Sequence, residues 1–178
     1  ICSLATLLIA DDCPKGNFSE LIERGAMKQK KVGTSASSAY KHPNSWILSL
    51  HYACCFGVEL TVFNIATTYF HDQFDLSTTK ASLVATLFGF MNIVCRSFGG
   101  IVSDFAYRKF GGERPGMTGR LLVQATGLFF QGMMIVIFSE MDHLPSAIGV
   151  LILFSFFVQV TEGATYGIVP YVCPEATG

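Results

Sequence analysis

The chain has 178 residues, of which 51% are hydrophobic and 14% are charged, and its mean hydropathy is +0.45. Soluble domains usually carry about 25% charged residues, so this composition argues against an ordinary soluble domain and favours a membrane protein. The formal net charge of −1 argues against a nucleic-acid-binding protein, which would present a basic face.

The first 45 residues precede any apolar run long enough to cross a bilayer. Residues 1–10 are apolar but shorter than the roughly 17–25 residues that a spanning helix needs. We therefore expect them to be the end of a truncated transmembrane helix. Residues 11–45 are polar, rich in Ser, Thr and Gly, and contain six of the twelve Lys and Arg residues. This composition predicts a flexible loop.

Four long apolar runs follow, each long enough to cross a hydrocarbon core of about 30 Å at a rise of about 1.5 Å per residue. A soluble core helix seldom stays apolar on every face for this distance, and the alternating pattern of a membrane β-barrel strand is missing from the sequence. We therefore predict an all-α integral membrane fold with about four complete transmembrane helices. Their predicted bounds are residues 46–70, 81–103, 121–138 and 145–171.

The connections between these runs alternate in charge. Residues 11–45 and the connection after the second run are rich in Lys and Arg, whereas the other two connections hold one lysine, Lys80, against four acidic residues. Positive residues mark the cytoplasmic side of a membrane protein, so the first predicted helix runs outward. The basic segment before it suits the central cytoplasmic loop of a two-halved transporter.

Arg96 points most directly to a function. It lies about eight residues, or roughly 12 Å, from the predicted end of the second helix. A central arginine costs roughly 2.5–3.5 kcal/mol on insertion scales and indicates a functional site, although it can also reach the interface or pair with a structural acid. Its planar guanidinium matches a flat anion with several oxygens, such as nitrate or a carboxylate. Helical spacing places small or polar residues on the same face: Ala85, Gly89, Asn92, Gly100 and Ser103.

The first predicted helix has an aromatic and acidic face that holds Tyr52, Phe56, Glu59 and Phe63. Tyr52 and Phe56 have a depth similar to that of Arg96, so they either line the same cavity or pack between helices. Glu59 either carries a proton, because apolar surroundings favour the neutral form of a carboxyl group, or pairs with a basic residue on a helix that is missing from this sequence.

The fourth predicted helix has a polar line of Ser155, Gln159, Glu162 and Tyr166. We expect an interhelical hydrogen bond for Ser155, and Glu162 is a second candidate for a proton path. At the end of the second predicted helix, Asp104 either joins neighbouring helices through charge-assisted hydrogen bonds or is ordinary loop charge.

The six cysteines form neither a C-x-x-C pair nor a zinc-binding pattern. The sequence also contains no nucleophile–base set and no nucleotide-binding loop. We therefore expect no metal, no cofactor and no enzymatic activity.

Several segments resemble the nitrate/nitrite porter family of the major facilitator superfamily. Gly100-x-x-x-Asp104 with the basic residues after it, including Arg108, is similar to the gating loop motif of the superfamily, although Phe105 stands where that motif usually has Arg. The family's seventh, eighth and tenth helices resemble, in that order, CFGVELTVFNIATTYF, FGFMNIVCRSFGGIVSD and FSFFVQVTEGATYGIVPYV. The resemblance covers residues 46–178, and the stretch VELT at 58–61 is closer to algal and plant members than to bacterial ones.

The resemblance implies the C-terminal half of a twelve-helix transporter over residues 46–178, truncated at 178. Arg96 would grip nitrate, and Tyr52 and Phe56 would lie beside the anion. Asn92 and Gly89 complete the candidate substrate-binding set. The family's partner arginine and both of its glycine-rich nitrate signatures lie outside this sequence.

The implied function is proton-coupled uptake of nitrate, with nitrite sharing the site, by alternating access in a multi-pass protein of the plasma membrane. The expected partners are nitrate or nitrite, protons, the lipid bilayer and a single-span accessory subunit, with no nucleic acid. Three alternatives remain: nitrate/nitrite exchange, transport of another anion by a major facilitator carrier, and a membrane sensor that binds the anion without flux.

Overall fold

A computed structural model describes residues 23–25, 32–110 and 117–172. Within these ranges the secondary structure is α-helical with no strand, which confirms the prediction of an all-α fold. The short helix α1 comes first, and four long helices follow it. The helices are α1 (Val32–Lys41), α2 (Pro43–Phe74), α3 (Thr78–Phe110), α4 (Met117–Ser139) and α5 (Leu144–Val172).

The four long helices extend beyond the apolar runs that predicted them. Helix α2 begins at Pro43, whose fixed φ suits the first turn of a helix. It ends before Asp75, which has the left-handed conformation, with φ 51°, that often closes a helix. Helix α3 continues to Phe110, so Arg96 lies about 21 Å from the helix end rather than the 12 Å predicted.

Helix α1 lies within the segment predicted as a loop. Its Ser- and Ala-rich sequence allows a helix, and the indole of Trp46 donates a 2.8 Å hydrogen bond to the carbonyl of Tyr40 at the junction with α2. The predicted helix end at residues 1–10 and most of the predicted loop up to residue 31 lie outside the described residues. Residues 173–178 do as well.

All four long helices are long and apolar enough to cross a membrane. Large apolar side chains are exposed along them, including Leu83, Ile93 and Phe129, each about 70% exposed. In water such a surface would be an unusually large apolar patch, whereas in a bilayer it contacts lipid. The prediction of four helices of spanning length is therefore confirmed.

Helix α5 is the central element of the bundle. In its most apolar 18-residue stretch 44% of the residues are buried, against 17% to 22% in the other three long helices. Its closest neighbour is α3, because two glycines let the backbones touch. A Cβ atom on Gly99 would overlap the Val160 carbonyl, and a Cβ atom on Gly163 would overlap the Arg96 carbonyl. Small residues at such crossings allow the close packing that joins membrane helices.

The end of the bundle near residues 75–77 and 140–143 has an apolar core. Phe88 of α3 and Phe154 of α5 are fully buried and stack with their ring centroids 5.8 Å apart. Ser155 donates a 3.0 Å hydrogen bond to the Phe88 carbonyl, which confirms the expected interhelical bond. Phe70 of α2 also belongs to this core. The apolar core extends to Val158 and Cys55, next to the polar residues of the middle layer.

Candidate functional site

A charged cluster lies in the middle of the bundle, where α2, α3 and α5 meet. Arg96 of α3 forms ion pairs with Glu59 of α2, at 3.2 Å, and with Glu162 of α5. The Glu59 side chain is 10% exposed, and the Glu162 side chain is fully buried. The basic partner considered for Glu59 was expected on a helix missing from this sequence, but the structure pairs Glu59 with Arg96 of α3.

Two amide side chains complete the cluster. Gln159 accepts a hydrogen bond from Nε of Arg96 at 3.3 Å and donates one to Oε1 of Glu59 at 2.6 Å. Asn92, one turn before Arg96 on α3, donates to the same Glu59 oxygen at 3.2 Å. The cluster is therefore a network across three helices, in which Gln159 fixes the orientation of the guanidinium relative to Glu59.

One edge of the Arg96 guanidinium stays accessible. The hydrogen bonds of Arg96 use Nε and Nη2, and Nη1 has no hydrogen-bond partner among the described residues. The side chain is 29% exposed, whereas both carboxylates are almost completely covered. Two N–H groups of a partly buried cation thus remain available to an oxygen-rich ligand.

An aromatic group borders the cluster. The Tyr52 ring stacks on Phe56 with a centroid distance of 5.3 Å, and its hydroxyl is 2.9 Å from the hydroxyl of Tyr166 on α5. Tyr52 also lies within electrostatic reach of Arg96 and Glu59. Both tyrosines line a cavity of about 560 Å³ between α1, α2 and α5. The structure therefore brings Tyr52 and Phe56 to the region of Arg96.

Gly89 lies apart from these contacts. It is almost two turns before Arg96 on α3, and the ring of Phe63 fills the space beside it, 3.2 Å from where a Cβ atom would lie. The structure therefore brings Asn92 to the charged cluster but places Gly89 against an aromatic ring of α2.

A second charged contact joins the ends of α3, α4 and α5. Asp104 pairs with Arg120 of α4 at 2.7 Å, and the Arg120 guanidinium lies over the rings of Tyr107 and Tyr171, at 4.8 and 5.2 Å. Sequence analysis grouped Asp104 with Gly100 and Arg108, but Arg108 is exposed. Gly100 packs against α5 near Gly163. The helix-joining role considered for Asp104 thus involves Arg120, which the sequence analysis did not single out.

No group of three or more His, Cys, Asp or Glu side chains that could hold a metal ion occurs in the part of the chain that the structure describes. The chemical character of the site therefore comes from one guanidinium, two carboxylates, two amides and the neighbouring tyrosines. These groups can bind an anion and exchange a proton.

Comparison with known proteins shows which family these residues come from. The chain is 37% identical over 177 residues to a high-affinity nitrate transporter of rice, Oryza sativa subsp. japonica. It is 36% identical over 176 residues to a nitrate transporter of Chlamydomonas reinhardtii. These matches cover 99% and 97% of this chain and, in both cases, 33% of the relative. The chain is homologous to one third of these nitrate transporters.

Cyanobacterial members of the nitrate transporter family match less of the chain. The nitrate/nitrite transporter of Nostoc punctiforme is 33% identical over 132 residues, which are 74% of this chain and 25% of that protein. The predicted family, and the closer similarity to its algal and plant members, are therefore confirmed. No protein-family model and no solved structure matches the chain.

The four membrane-length helices and the similarity to nitrate transporters identify the chain as part of a multi-pass integral membrane protein. Two features of the described residues were not predicted from the sequence. One is the role of Gln159, which the sequence indicated only by its position on the polar line of α5. The other is the role of Arg120, which the sequence indicated only as a charged residue at the start of an apolar run.

Proposed function

We propose that the protein is a nitrate transporter and that this chain belongs to the C-terminal half of its major facilitator fold. It acts as a carrier in the plasma membrane and not as an enzyme. The observation that supports this most directly is a mid-membrane arginine with one free edge, in a chain similar to proteins named nitrate transporters. Ionisable residues at this depth are rare unless a transport pathway uses them.

Nitrate is a flat anion with three oxygens, and Nη1 of Arg96 offers it an N–H donor in the plane of the guanidinium. In this proposal the anion approaches Nη1 from the side of Tyr52, Phe56 and Tyr166. The hydroxyls of the tyrosines donate to its remaining oxygens, and Asn92 keeps Glu59 away from the anion by holding its Oε1. Gly89, one turn before Asn92 on α3, packs against Phe63 and does not bind nitrate directly.

The charge of the cluster supports coupling of nitrate to protons. One guanidinium and two carboxylates carry a net charge of −1, which repels an anion. A proton on either acid, Glu59 or Glu162, makes the cluster neutral, so one nitrate and one proton together leave its charge unchanged. Protons that accompany nitrate also offset the opposing membrane potential, which is about 2.3 kcal/mol per charge at 100 mV.

Alternating access then exposes this midplane site to each side of the membrane in turn. The resemblance to the porter family implies a second arginine from the other half of the transporter, so that the anion would be held between two guanidinium groups. The contact of Asp104 with Arg120 joins the helix ends on the side where the basic connections lie, and we expect it to favour one of the two states.

The proposal is tested by uptake of labelled nitrate into a host that lacks its own nitrate transport and expresses the full-length protein. Nitrate uptake above that of the empty vector, inhibited by nitrite and not by organic anions, is the expected result. Expression at the membrane with inhibition by carboxylates would favour an organic-anion carrier. Nitrate binding to the purified protein without any flux would favour a sensor.

Nitrate/nitrite exchange is the second candidate, because cyanobacterial relatives are named nitrate/nitrite transporters. An exchanger would need no proton and would leave the charge of the cluster constant by replacing one anion with another. Internal nitrite that accelerates nitrate entry, at a rate independent of external pH, would favour exchange over proton coupling.

A further inference from the structure

The two acids of the charged cluster have different hydrogen-bond environments. Both oxygens of Glu59 accept hydrogen bonds, Oε1 from Gln159 at 2.6 Å and Asn92 at 3.2 Å, and Oε2 from Arg96 at 3.2 Å. Glu162 is fully buried, and its Oε2 accepts from Arg96, whereas its Oε1 has no hydrogen-bond partner among the described residues. Glu59 thus has three N–H donors, and Glu162 has one.

These environments favour different protonation states. An ionised carboxylate only accepts hydrogen bonds, so three donors suit the charged form of Glu59. A proton on its Oε1 would face the N–H groups of Gln159 and Asn92. A buried charged oxygen without a donor is costly, and a proton on Oε1 of Glu162 removes that charge. The contact between Arg96 and Oε2 of Glu162 remains possible after protonation.

Few charged groups surround Glu162. Helix α3 presents Arg96, and helix α2 presents Glu59. At this level helix α4 presents the uncharged Gln124, which donates a hydrogen bond to Thr165. The nearest charged residue of α4 is Arg120, which lies further along the bundle, against Gly167. Ordinary thiols and phenols titrate above about pH 8, so they exchange protons less readily than a carboxyl group at neutral pH. Among the described residues near the cluster, the thiols are those of Cys55 and Cys95, and the phenols are those of Tyr52 and Tyr166.

We propose that Glu162 is the proton-binding residue of the cluster and that Glu59 stays ionised as the fixed counter-charge of Arg96. This assignment rests on the proposed proton-coupled nitrate transport. A proton on Glu162 weakens its attraction for Nη2 of Arg96, and the neutral cluster accepts an anion at the free guanidinium edge. Loss of that proton restores the second carboxylate, which competes with the anion and favours its release.

The test uses the purified full-length protein in liposomes that contain a pH-sensitive dye. Proton uptake driven by a nitrate gradient and exchange of labelled nitrate are measured in the same preparations. In Glu162→Gln the side chain stays neutral, so nitrate-driven proton uptake and the pH dependence of nitrate flux should be lost. Nitrate exchange should stay measurable above that of protein-free vesicles. Glu162→Asp, which restores a carboxyl group, should restore proton uptake.

Two further variants give the comparison. Glu140→Gln removes an exposed acid from the connection after α4, and it should couple protons to nitrate as the wild type does. Glu59→Gln should lose nitrate exchange as well as proton uptake, because Arg96, Gln159 and Asn92 lose the carboxylate that orients them. Size-exclusion profiles establish that each variant is folded.

Three results would overturn the assignment. The first is proton uptake that persists in Glu162→Gln and is lost in Glu59→Gln with exchange retained. The second is proton uptake that persists in both Glu162→Gln and Glu59→Gln. The third is loss of nitrate exchange in both Glu162→Gln and Glu162→Asp, which would indicate a structural role for Glu162. A wild-type protein without nitrate flux would instead contradict the proposed function itself.

Discussion

At the scale of single residues, Gln159 decides how the charged cluster is arranged. Its amide oxygen accepts from Arg96 and its amide nitrogen donates to Glu59, so one side chain contacts both signs of charge. Gln159 is completely buried, and water cannot replace these bonds when they are broken. The cluster therefore depends on an uncharged residue as much as on its ion pairs.

Replacing Gln159 with Leu, which has a similar volume, leaves the Nε–H group of Arg96 without a partner and removes the shorter of the two hydrogen bonds to Oε1 of Glu59. Buried polar groups that lose a hydrogen bond cost about 1–3 kcal/mol each. We expect Gln159→Leu to lower the thermal unfolding midpoint of the full-length protein in detergent. The exposed Gln73, near the end of α2, gives the control. An equal shift in Gln73→Leu would contradict the role of Gln159.

Arg120 joins three helices through a second set of contacts. Its guanidinium pairs with Asp104 and lies over the rings of Tyr107 and Tyr171. A lysine keeps the charge but loses the planar group that stacks on the rings, and a cation–π contact contributes about 0.5–2 kcal/mol. We expect Arg120→Lys to lower the unfolding midpoint. Arg108 is an exposed arginine, so Arg108→Lys should leave the unfolding midpoint unchanged. Equal stability of the two variants would show that the ring contacts contribute nothing.

At the scale of helices, the crossing of α3 and α5 positions the charged cluster. Gly99 and Gly163 touch the backbone of the opposite helix, and Gly163 lies next to Glu162 and against the carbonyl of Arg96. The same backbone approach that fixes the crossing therefore also brings the two charged side chains into contact. A wider separation would break the ion pair.

A methyl group at this crossing tests the dependence. Gly163→Ala should push α3 and α5 apart, with an overpacking cost of about 1–3 kcal/mol and loss of nitrate uptake. Gly149→Ala in the same helix faces open space, so it should keep uptake and gain up to about 1 kcal/mol from helix propensity. Full uptake in Gly163→Ala would contradict the link between this crossing and the site.

The helices themselves were largely predictable from the sequence, but their ends were not. Each apolar run of sufficient length corresponds to one helix, because a segment that spans a bilayer must satisfy its backbone hydrogen bonds within itself. The ends were not predicted because the terminal turns are polar. In α2 they are determined by backbone conformation, by Pro43 at the start and by the left-handed Asp75 at the end. Helix α1 was missed since its Ser-rich sequence resembles that of a loop.

At the scale of the whole bundle, the described helices form three layers along their length. An apolar core of stacked rings fills one end, the charged cluster occupies the middle, and the contact of Arg120 with Asp104 joins the other end. The middle layer is closely packed as well, because residues 158–165 of α5 are all buried. What distinguishes the middle layer is its ionisable side chains.

The contents of the middle layer were only partly predictable. The faces with Arg96, Glu59 and Glu162 could each be derived from helical spacing. Their meeting point could not, because it depends on the rotation and depth of three helices set by the contacts of Gly99 and Gly163. Arg120 was missed for a related reason, since its partners are distant in the sequence and only the bundle brings them together.

The central claim is that nitrate binds at Arg96 and enters together with protons. The most direct measurement is uptake of labelled nitrate by the full-length protein at acidic and neutral external pH, for wild type, Arg96→Lys and the exposed control Arg108→Lys. The account predicts uptake that is faster at acidic pH in wild type and in Arg108→Lys, and that is lost in Arg96→Lys at both pH values. Equal uptake in wild type and Arg96→Lys would contradict it.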